Sequence, residues 1–103
     1  MTTVSLYVEL HAKSGKEEEL AAFLSSARGL VMAEAATITW FAVRFDKSTF
    51  AIFDAFNDES GREAHLAGRV AAALMAKADE LLASSPQIRK ANVLADKLPT
   101  SGR

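Results

Sequence analysis

The sequence predicts an α+β fold in which a four-stranded antiparallel sheet carries helices on one face. Three observations support this prediction. The hydrophobic period is two residues in the first segment and changes to three and four residues in the second. Two strand-like segments separated by a short polar connection follow. The chain then returns to a helical pattern before one last strand-like segment, so the predicted order of elements is β-α-β-β-α-β.

The first strand is predicted over residues 2–11, where apolar and polar side chains alternate strictly. One face of this strand carries Val4, Leu6, Val8 and Leu10, and the other carries Thr3, Ser5, Tyr7, Glu9 and His11. An alternation of this length is typical of a strand with one well-buried face.

The first helix is predicted to follow a capping box formed by Ser14 and Glu17, whose side chains would satisfy backbone N–H groups of the first turn. Its apolar stripe consists of Leu20, Phe23, Leu24, Ala27 and Val31. Steps of three and four residues place this stripe on one side of a helix, which we expect to pack against the sheet.

Two further strands are predicted over residues 37–45 and 49–56, joined by the polar residues Asp46, Lys47 and Ser48. Both strands carry apolar side chains on both faces. In the first of them, Ile38 and Trp40 alternate with Phe41, Val43 and Phe45. An antiparallel sheet with one face in water does not show this pattern, so both faces of the hairpin should be covered.

Residues 57–84 are predicted to be helical in two pieces, with a break near Gly68 and a stop at Ser84-Ser85-Pro86. Asn57 or Asp58 is expected to begin the first piece, with Ser60 and Glu63 as an alternative capping box. The fourth strand is predicted within residues 87–98.

The order β-α-β-β-α-β is that of the ferredoxin-like split βαβ fold. Helices cover one face of such a sheet and leave the other face open. Because a chain of 103 residues has no further element to cover that face, its apolar side chains predict a homodimer that packs sheet against sheet. The dimer would be an α/β barrel.

Length and composition narrow the function classes. The chain is long enough for a single domain, placed at residues 1–98, with a flexible tail at 99–103. A net charge of −1 gives no footprint for nucleic acid or an anionic membrane. There are no cysteines, and no apolar run approaches the roughly 20 residues that span a bilayer. With no basic, apolar leader at the N-terminus, the expected location is cytoplasmic.

Several segments of the sequence together resemble a known family. "SGKEEELAAFL" after the first strand, the hairpin "TITWFAVRF…TFAIFDAF", "DESGREAHLAG" and the ending "ANVLADKLP" are together similar to the antibiotic biosynthesis monooxygenase-like group of dimeric α+β barrels. The resemblance covers nearly the whole chain. It implies a dimeric barrel with a pocket in each subunit between helices and sheet. The group includes cofactor-free oxygenases of polycyclic phenols, quinol oxygenases and haem-degrading enzymes.

The family motifs are matched in part. Ala64-His65 matches the family's Ala-His on a helix, whereas the Glu-x-Trp of the third strand is Asp54-Ala55-Phe56 here, and the Pro-Gly turn before the second strand is Ala35-Ala36. The haem degraders also use an asparagine on the first strand. This chain has Tyr7, Val8 and Glu9 in that region, which argues against haem degradation.

His65 is the candidate catalytic residue. A cofactor-free oxygenase must remove a phenolic or benzylic proton so that the substrate anion can give an electron to O₂. An imidazole with an ordinary pKa of about 6.5 suits this task near neutral pH. The competing interpretation is that His65 caps a helix or hydrogen-bonds to the strand below it.

Asp54, Phe56, Trp40 and Tyr7 are the candidate substrate-binding residues. Asp54 and Phe56 share one strand face, and Asp54 could orient His65 by accepting its second N–H, or could instead cap a helix or pair across the hairpin. Trp40 and Phe56 are candidates for pocket walls or for core, and Tyr7 for a substrate contact or for the rim of a dimer interface. Two histidines 54 positions apart and no cysteine give no metal site, and no Gly-rich phosphate loop supports a flavin or nicotinamide cofactor.

These observations predict a small, dimeric, cofactor-independent monooxygenase that oxidises a hydroquinone or a polycyclic phenol with O₂. One alternative is a non-catalytic dimeric barrel that binds a small hydrophobic ligand or acts in a stress response. Another is an isomerase or lyase of the same fold, which would use the same base without oxygen. The sequence leaves open whether the chain is an enzyme at all.

Overall fold

The computed structural model describes residues 1–99. It contains the elements β1 (Val4–His11), α1 (Glu17–Val31), β2 (Thr37–Arg44), β3 (Thr49–Phe56), α2 (Glu59–Leu66), α3 (Arg69–Leu81) and β4 (Gln87–Asn92). The predicted order of elements is confirmed, and so is the helix break, because Gly68 separates α2 from α3. Of the predicted tail, residues 100–103 lie outside the described part of the chain.

The four strands form one antiparallel sheet in the order β2-β3-β1-β4. The central pair, β1 and β3, is in register along its full length, from Val4 opposite Phe56 to His11 opposite Thr49. This is the strand arrangement of the ferredoxin-like fold, as predicted from the order of elements.

The hydrophobic core lies between the sheet and the helices. It is formed by buried apolar side chains from both layers, namely Val8, Leu10, Leu20, Leu24, Phe50, Ile52, Leu74, Leu81 and Leu82. The predicted α1 stripe faces this core, although Phe23 is only partly buried. Each fully buried side chain of this size stabilises the fold by about 1.5–3 kcal/mol relative to an exposed one.

The sequence prediction was wrong about one face of β2. The register between β2 and β3 shifts between Thr37 and Thr39, because Thr37 pairs with Phe56 and Thr39 with Ala55. Ile38 therefore does not share the buried face with Trp40, and 40% of its surface is exposed. A bulge of this kind changes the direction of neighbouring side chains. Here the Thr37 hydroxyl reaches residues of α2 and of the loop after α1.

The ends of two other elements also differ from the prediction. α1 begins with Lys16 at its N-cap and no side-chain cap, while Glu17 Oε1 accepts a hydrogen bond of 3.0 Å from the N–H of Gly15. The predicted Ser14–Glu17 capping box is therefore wrong, because Glu17 is the first residue of the helix and its side chain binds the backbone of Gly15, which precedes the N-cap. β4 is shorter than predicted, and Leu94, beyond its end, is 93% exposed.

The sheet face opposite the helices is open, and its β2–β3 side is apolar. Its exposed large side chains are Phe41, Val43, Phe45 and Phe53, each between 40% and 61% exposed. None of the helices within residues 1–99 is long and apolar enough to cross a membrane.

Candidate functional site

Helix α2 carries His65, and local sequence fixes where this helix begins. The Asp58 carboxylate caps it by accepting hydrogen bonds from the Gly61 N–H at 3.0 Å and the Ser60 hydroxyl at 2.7 Å. The Ser60 contact, followed by the Gly61 N–H, lowers the pKa of Asp58. Gly61 also lets the helix lie close to the segment before β2, because a side chain there would begin 3.3 Å from the Ala36 carbonyl oxygen. The predicted Asp58 start is confirmed.

Arg62 joins α2 to two strands. Its side chain is buried, and its guanidinium donates hydrogen bonds to the backbone carbonyls of Ser5 at 3.2 Å and Ala91 at 3.3 Å, and also pairs with Glu59. These contacts connect the helix to β1 and to β4. Arg62 thereby fixes the position of the helix that presents His65.

His65 lies between two carboxylates. Its Nε2 is 3.0 Å from Asp54 Oδ2 on β3, and its Nδ1 is 2.5 Å from Glu34 Oε1 in the loop after α1. The side chains of His65 and Asp54 are 7% and 1% exposed, and that of Glu34 is 19% exposed. The cluster therefore places a histidine and two acids from three separate elements in a mostly dry environment.

The two carboxylates favour the charged imidazolium. Burial by itself would lower the pKa of His65, but the contacts with Asp54 and Glu34, together with their negative charges, outweigh burial and raise the pKa above its ordinary value of 6.5. The Asp54 contact is a close ion pair rather than an aligned hydrogen bond, since neither Asp54 oxygen has a hydrogen-bond partner among the described residues. Among the ion pairs of residues 1–99, the His65 imidazolium is the only cation that pairs with Asp54.

Glu34 uses one of its oxygens and leaves the other unpartnered. Oε1 accepts a hydrogen bond of 2.8 Å from the Thr37 hydroxyl in addition to the His65 contact. Oε2 is buried and has no hydrogen-bond partner among the described residues. Buried acceptors without a donor are rare in proteins. Glu34 therefore has an acceptor oxygen available beside the His65 cluster.

A pocket of about 390 Å³ opens beside this cluster. Most of its wall consists of small residues, namely Ala33, Ala35, Ala36, Gly61, Ala64 and Gly68. Glu34, Thr37 and His65 supply polar groups. A side chain at Gly68 would begin 3.2 Å from Glu34 Oε2, so the glycine leaves room for that carboxylate. The arrangement combines a mostly apolar wall with a few converging polar groups, as ligand sites commonly do.

The structure brings three of the predicted site residues together. Asp54 contacts His65 directly, and the Phe56 ring centre lies 5.5 Å from the imidazole ring. Trp40 pairs with Asp54 across the two strands, but it lines a different groove, between α1 and β2. Tyr7 is opposite Phe53 on the other sheet face, where its hydroxyl is 3.4 Å from Glu9.

Sequence reasoning missed Glu34, Thr37 and Arg62. Glu34 lies in "MAEAAT", between the helical pattern of α1 and the strand pattern of β2. No periodicity marks it there. Thr37 faces the site because of the β2 bulge. Arg62 contacts the strands only because its helix lies against β1 and β4. The Glu59–Arg62 spacing of three residues was the one local signal available.

Within residues 1–99, no group of three or more His, Cys, Asp or Glu side chains is arranged to hold a metal ion. The acids of the site contact opposite nitrogens of one imidazole. They do not converge with the imidazole on a common point, as metal ligands must.

The fold and the site together define an α+β protein with the antibiotic biosynthesis monooxygenase-like fold. Two solved structures with this fold are each named "putative antibiotic biosynthesis monooxygenase". The one from Nitrosomonas europaea is 13% identical, with a TM-score of 0.80 over 89% of this chain and 99% of that one. The one from Caulobacter crescentus is also 13% identical, with a TM-score of 0.77 over 91% and 92%. They confirm the resemblance at the level of fold.

A much nearer relative identifies the family. The chain belongs to the same family as a protein of unknown function from Nitrosomonas europaea, to which it is 56% identical over 96% of both chains, with a TM-score of 0.95. No protein-family model and no curated protein matches the chain. The site must therefore be the basis for a functional proposal.

Proposed function

We propose that the protein is a cofactor-independent monooxygenase that oxidises a small hydroquinone or phenol with O₂. The observation that carries this proposal is the Asp54–His65–Glu34 cluster, of which His65 and Glu34 line a small, mostly apolar pocket. Proton-transfer groups with perturbed pKa values in a pocket are typical of active sites. The fold shared with the monooxygenase-named structures agrees with this reaction class.

The reaction asks little of the protein beyond proton removal and shielding. Loss of a phenolic proton gives a phenolate, which can transfer an electron to O₂. One oxygen atom then enters the ring and the other leaves as water, while the substrate supplies four electrons as it becomes a hydroxyquinone. His65 in its neutral form accepts this proton, and Asp54 and Glu34 stabilise the imidazolium that results. The apolar wall limits the access of water to the reduced-oxygen intermediate.

The test is oxygen consumption by the purified protein with a panel of hydroquinones and anthrones, without added flavin or metal. We expect turnover with at least one substrate, and at least a tenfold lower rate for His65→Ala and for His65→Gln. His11→Gln is the matched control, because His11 also pairs with a carboxylate, that of Glu9 at 2.8 Å, but on the opposite sheet face.

Three outcomes would contradict the proposal. A folded His65→Gln variant with an unchanged rate would remove this residue from the reaction. Turnover of the substrate that persists without O₂ would instead indicate an isomerase or lyase, and saturable binding without turnover would indicate a binding protein.

We also infer that the functional unit is a homodimer joined through the open sheet faces. The exposed apolar side chains of that face are Phe41 and Val43 of β2, Phe45 just after it and Phe53 of β3, which pairs with Phe41. Patches of this kind on small proteins commonly mark interfaces. A second copy of the chain offers the same patch, and a two-fold axis would bring the two together to form the barrel.

A further inference from the structure

We propose that the groove between α1 and β2 is a second ligand site, and that it binds a small aromatic carboxylate through the guanidinium of Arg28. This site is separate from the pocket beside His65, since the two linings share no residue. The inference does not depend on the oxygenase reaction, and its test measures binding alone.

The first step concerns the size and the walls of the groove. Its volume is about 480 Å³, within the range of about 300–1,000 Å³ that is usual for small-molecule sites. The walls include Leu24 and the aromatic side chains of Trp40 and Phe50. Leu24 and Phe50 belong to the buried core, and Trp40 packs against it. Because a close-packed core holds these side chains in place, the groove offers a fixed aromatic surface to a flat ring.

The second step concerns the charge of the groove. Among residues 1–99, its lining contains the cations Arg28 and Arg44 and no acidic side chain. Two other cavities of the molecule differ in this respect. The groove on the other side of α1 contains Glu19 as well as Lys77, and the pocket beside His65 contains an acid as well as a cation. The α1–β2 groove is therefore complementary to an anion.

The third step identifies which arginine meets the ligand. Arg44 is already engaged, because it pairs with Glu18 at 2.9 Å, donates to two backbone carbonyls of the β2–β3 turn and lies 4.9 Å from the centre of the Phe50 ring. Arg28 belongs to none of the ion pairs within residues 1–99. It also borders a neighbouring depression that contains Glu34, but it does not pair with that acid. Arg28 is thus the cation that is available to an incoming anion.

The fourth step concerns the chemistry of the ligand. A carboxylate is the anion whose two oxygens match the paired N–H groups of a guanidinium. Ser25, three residues before Arg28 on the same side of α1, adds a hydroxyl to the lining. With its carboxylate at Arg28, an aromatic acid can lay its ring against Trp40. The uncharged amide of the same acid keeps the ring contact and loses the charge-assisted hydrogen bonds.

The test is binding of cinnamate and of cinnamamide, measured by NMR on isotope-labelled protein. Trp40 is the only tryptophan of the chain, so a single indole N–H signal reports on the groove. We expect the wild-type protein to bind cinnamate at least fivefold more tightly than cinnamamide, with a shift of this signal. Arg28→Met should remove the preference, because the charged donor is gone while an aliphatic side chain remains.

Two further variants control for charge and for location. Lys77→Met is the matched control, because it removes a cation from the groove on the other side of α1. The preference for cinnamate should be unchanged in this variant. Arg69→Met removes the cation that lines the pocket beside His65, and it too should leave the preference unchanged. Thermal melting checks that all three variants are folded.

Several results would overturn the proposal. The first is a wild-type protein that binds neither probe or binds both equally. The second is a folded Arg28→Met protein that keeps the preference for cinnamate. The third is a preference that Arg69→Met removes, with shifts at His65 and none at the Trp40 indole, because the carboxylate would then bind in the other pocket. None of these results depends on oxygen consumption, so the oxygenase function and this site stand or fall separately.

Discussion

At the scale of single residues, the most consequential contact is that of His65 with two acids. Asp54 is almost fully buried, and a buried carboxylate requires a nearby cation to remain charged. The imidazolium of His65 supplies this cation, and Glu34 stabilises the imidazolium from its other side. The three side chains therefore depend on one another, and the charge state of His65 affects both the fold and the site.

The first residue-scale prediction concerns pH. The pKa of His65 is raised in the folded state above its unfolded value of 6.5, so the protonated ring stabilises the fold. This stabilisation is fully present below about pH 6.5 and is lost as the pH rises through the folded-state pKa. Urea unfolding from about pH 5 to about pH 9 should show the decline.

The variants needed for this prediction are available in the same chain. His65→Gln should be less stable at low pH and should lack most of the decline, whereas His11→Gln should keep it. A wild-type protein whose free energy of unfolding is flat across this range would contradict the imidazolium assignment.

Sequence reasoning found part of this cluster. Asp54 and His65 could be identified from the sequence because Asp54 lies in a strand pattern and His65 in a helix pattern. A family motif also marks His65. Glu34 could not be identified from the sequence, because it is 31 positions from His65 and lies in a segment without periodicity. Only the packing of α2 beside the loop after α1 brings them together.

At the scale of secondary structure, α2 depends on its tertiary contacts. It has eight residues, which is too few for an isolated helix to be stable in water. The Asp58 cap holds the start of the helix, and the Arg62 hydrogen bonds hold its middle. The His65 cluster holds its last turn. The helix is stable because the strands β1, β2 and β3 and the helix α3, against which it packs, are in place.

The element-scale prediction uses Arg62. Arg62→Met should lower the free energy of unfolding by about 1.5–3 kcal/mol, because the strand carbonyls of Ser5 and Ala91 lose a charged donor in a buried place. Arg28→Met, at an exposed position of α1, should change it by less than about 0.5 kcal/mol. Urea unfolding measures both, and equal losses in the two variants would show that Arg62 is not an anchor.

Local signals predicted the start of α2 better than the shape of β2. Asp58 caps the helix through atoms three residues away, so the sequence itself contains the contact. The bulge at Ile38 arises from pairing with β3, and nothing in "TITW" distinguishes the residue that will be displaced. The direction of Thr37 toward the site is a consequence of that pairing.

At the scale of the whole molecule, the sheet separates two surfaces. The helix face holds the core and the candidate site, and the other face exposes a patch of phenylalanine and valine side chains. The apolar pattern on both faces of the hairpin was visible in the sequence, and so the need for a second covering layer was predictable. The partner that provides this layer is a matter for experiment.

The whole-molecule prediction is that the wild-type protein sediments as a dimer at micromolar concentration and that Phe53→Asp sediments as a monomer. A carboxylate in the centre of the patch would have to be buried without a partner on association. Met75→Asp is the matched control, because Met75 is a comparably exposed apolar residue, at 59%, on α3. A monomeric wild type, or dissociation by both substitutions, would contradict assembly through the sheet face.

Strand β3 contributes to both surfaces through alternate residues. Asp54 and Phe56 lie beneath His65, while Phe53 and Ala55 face the other way. Gaining or losing one residue within this strand would exchange its two sides, turning an acid toward the apolar patch and a phenylalanine toward the imidazole. Relatives of this protein should consequently vary in β3 by replacement of residues, and insertions or deletions should be confined to the connections at its ends.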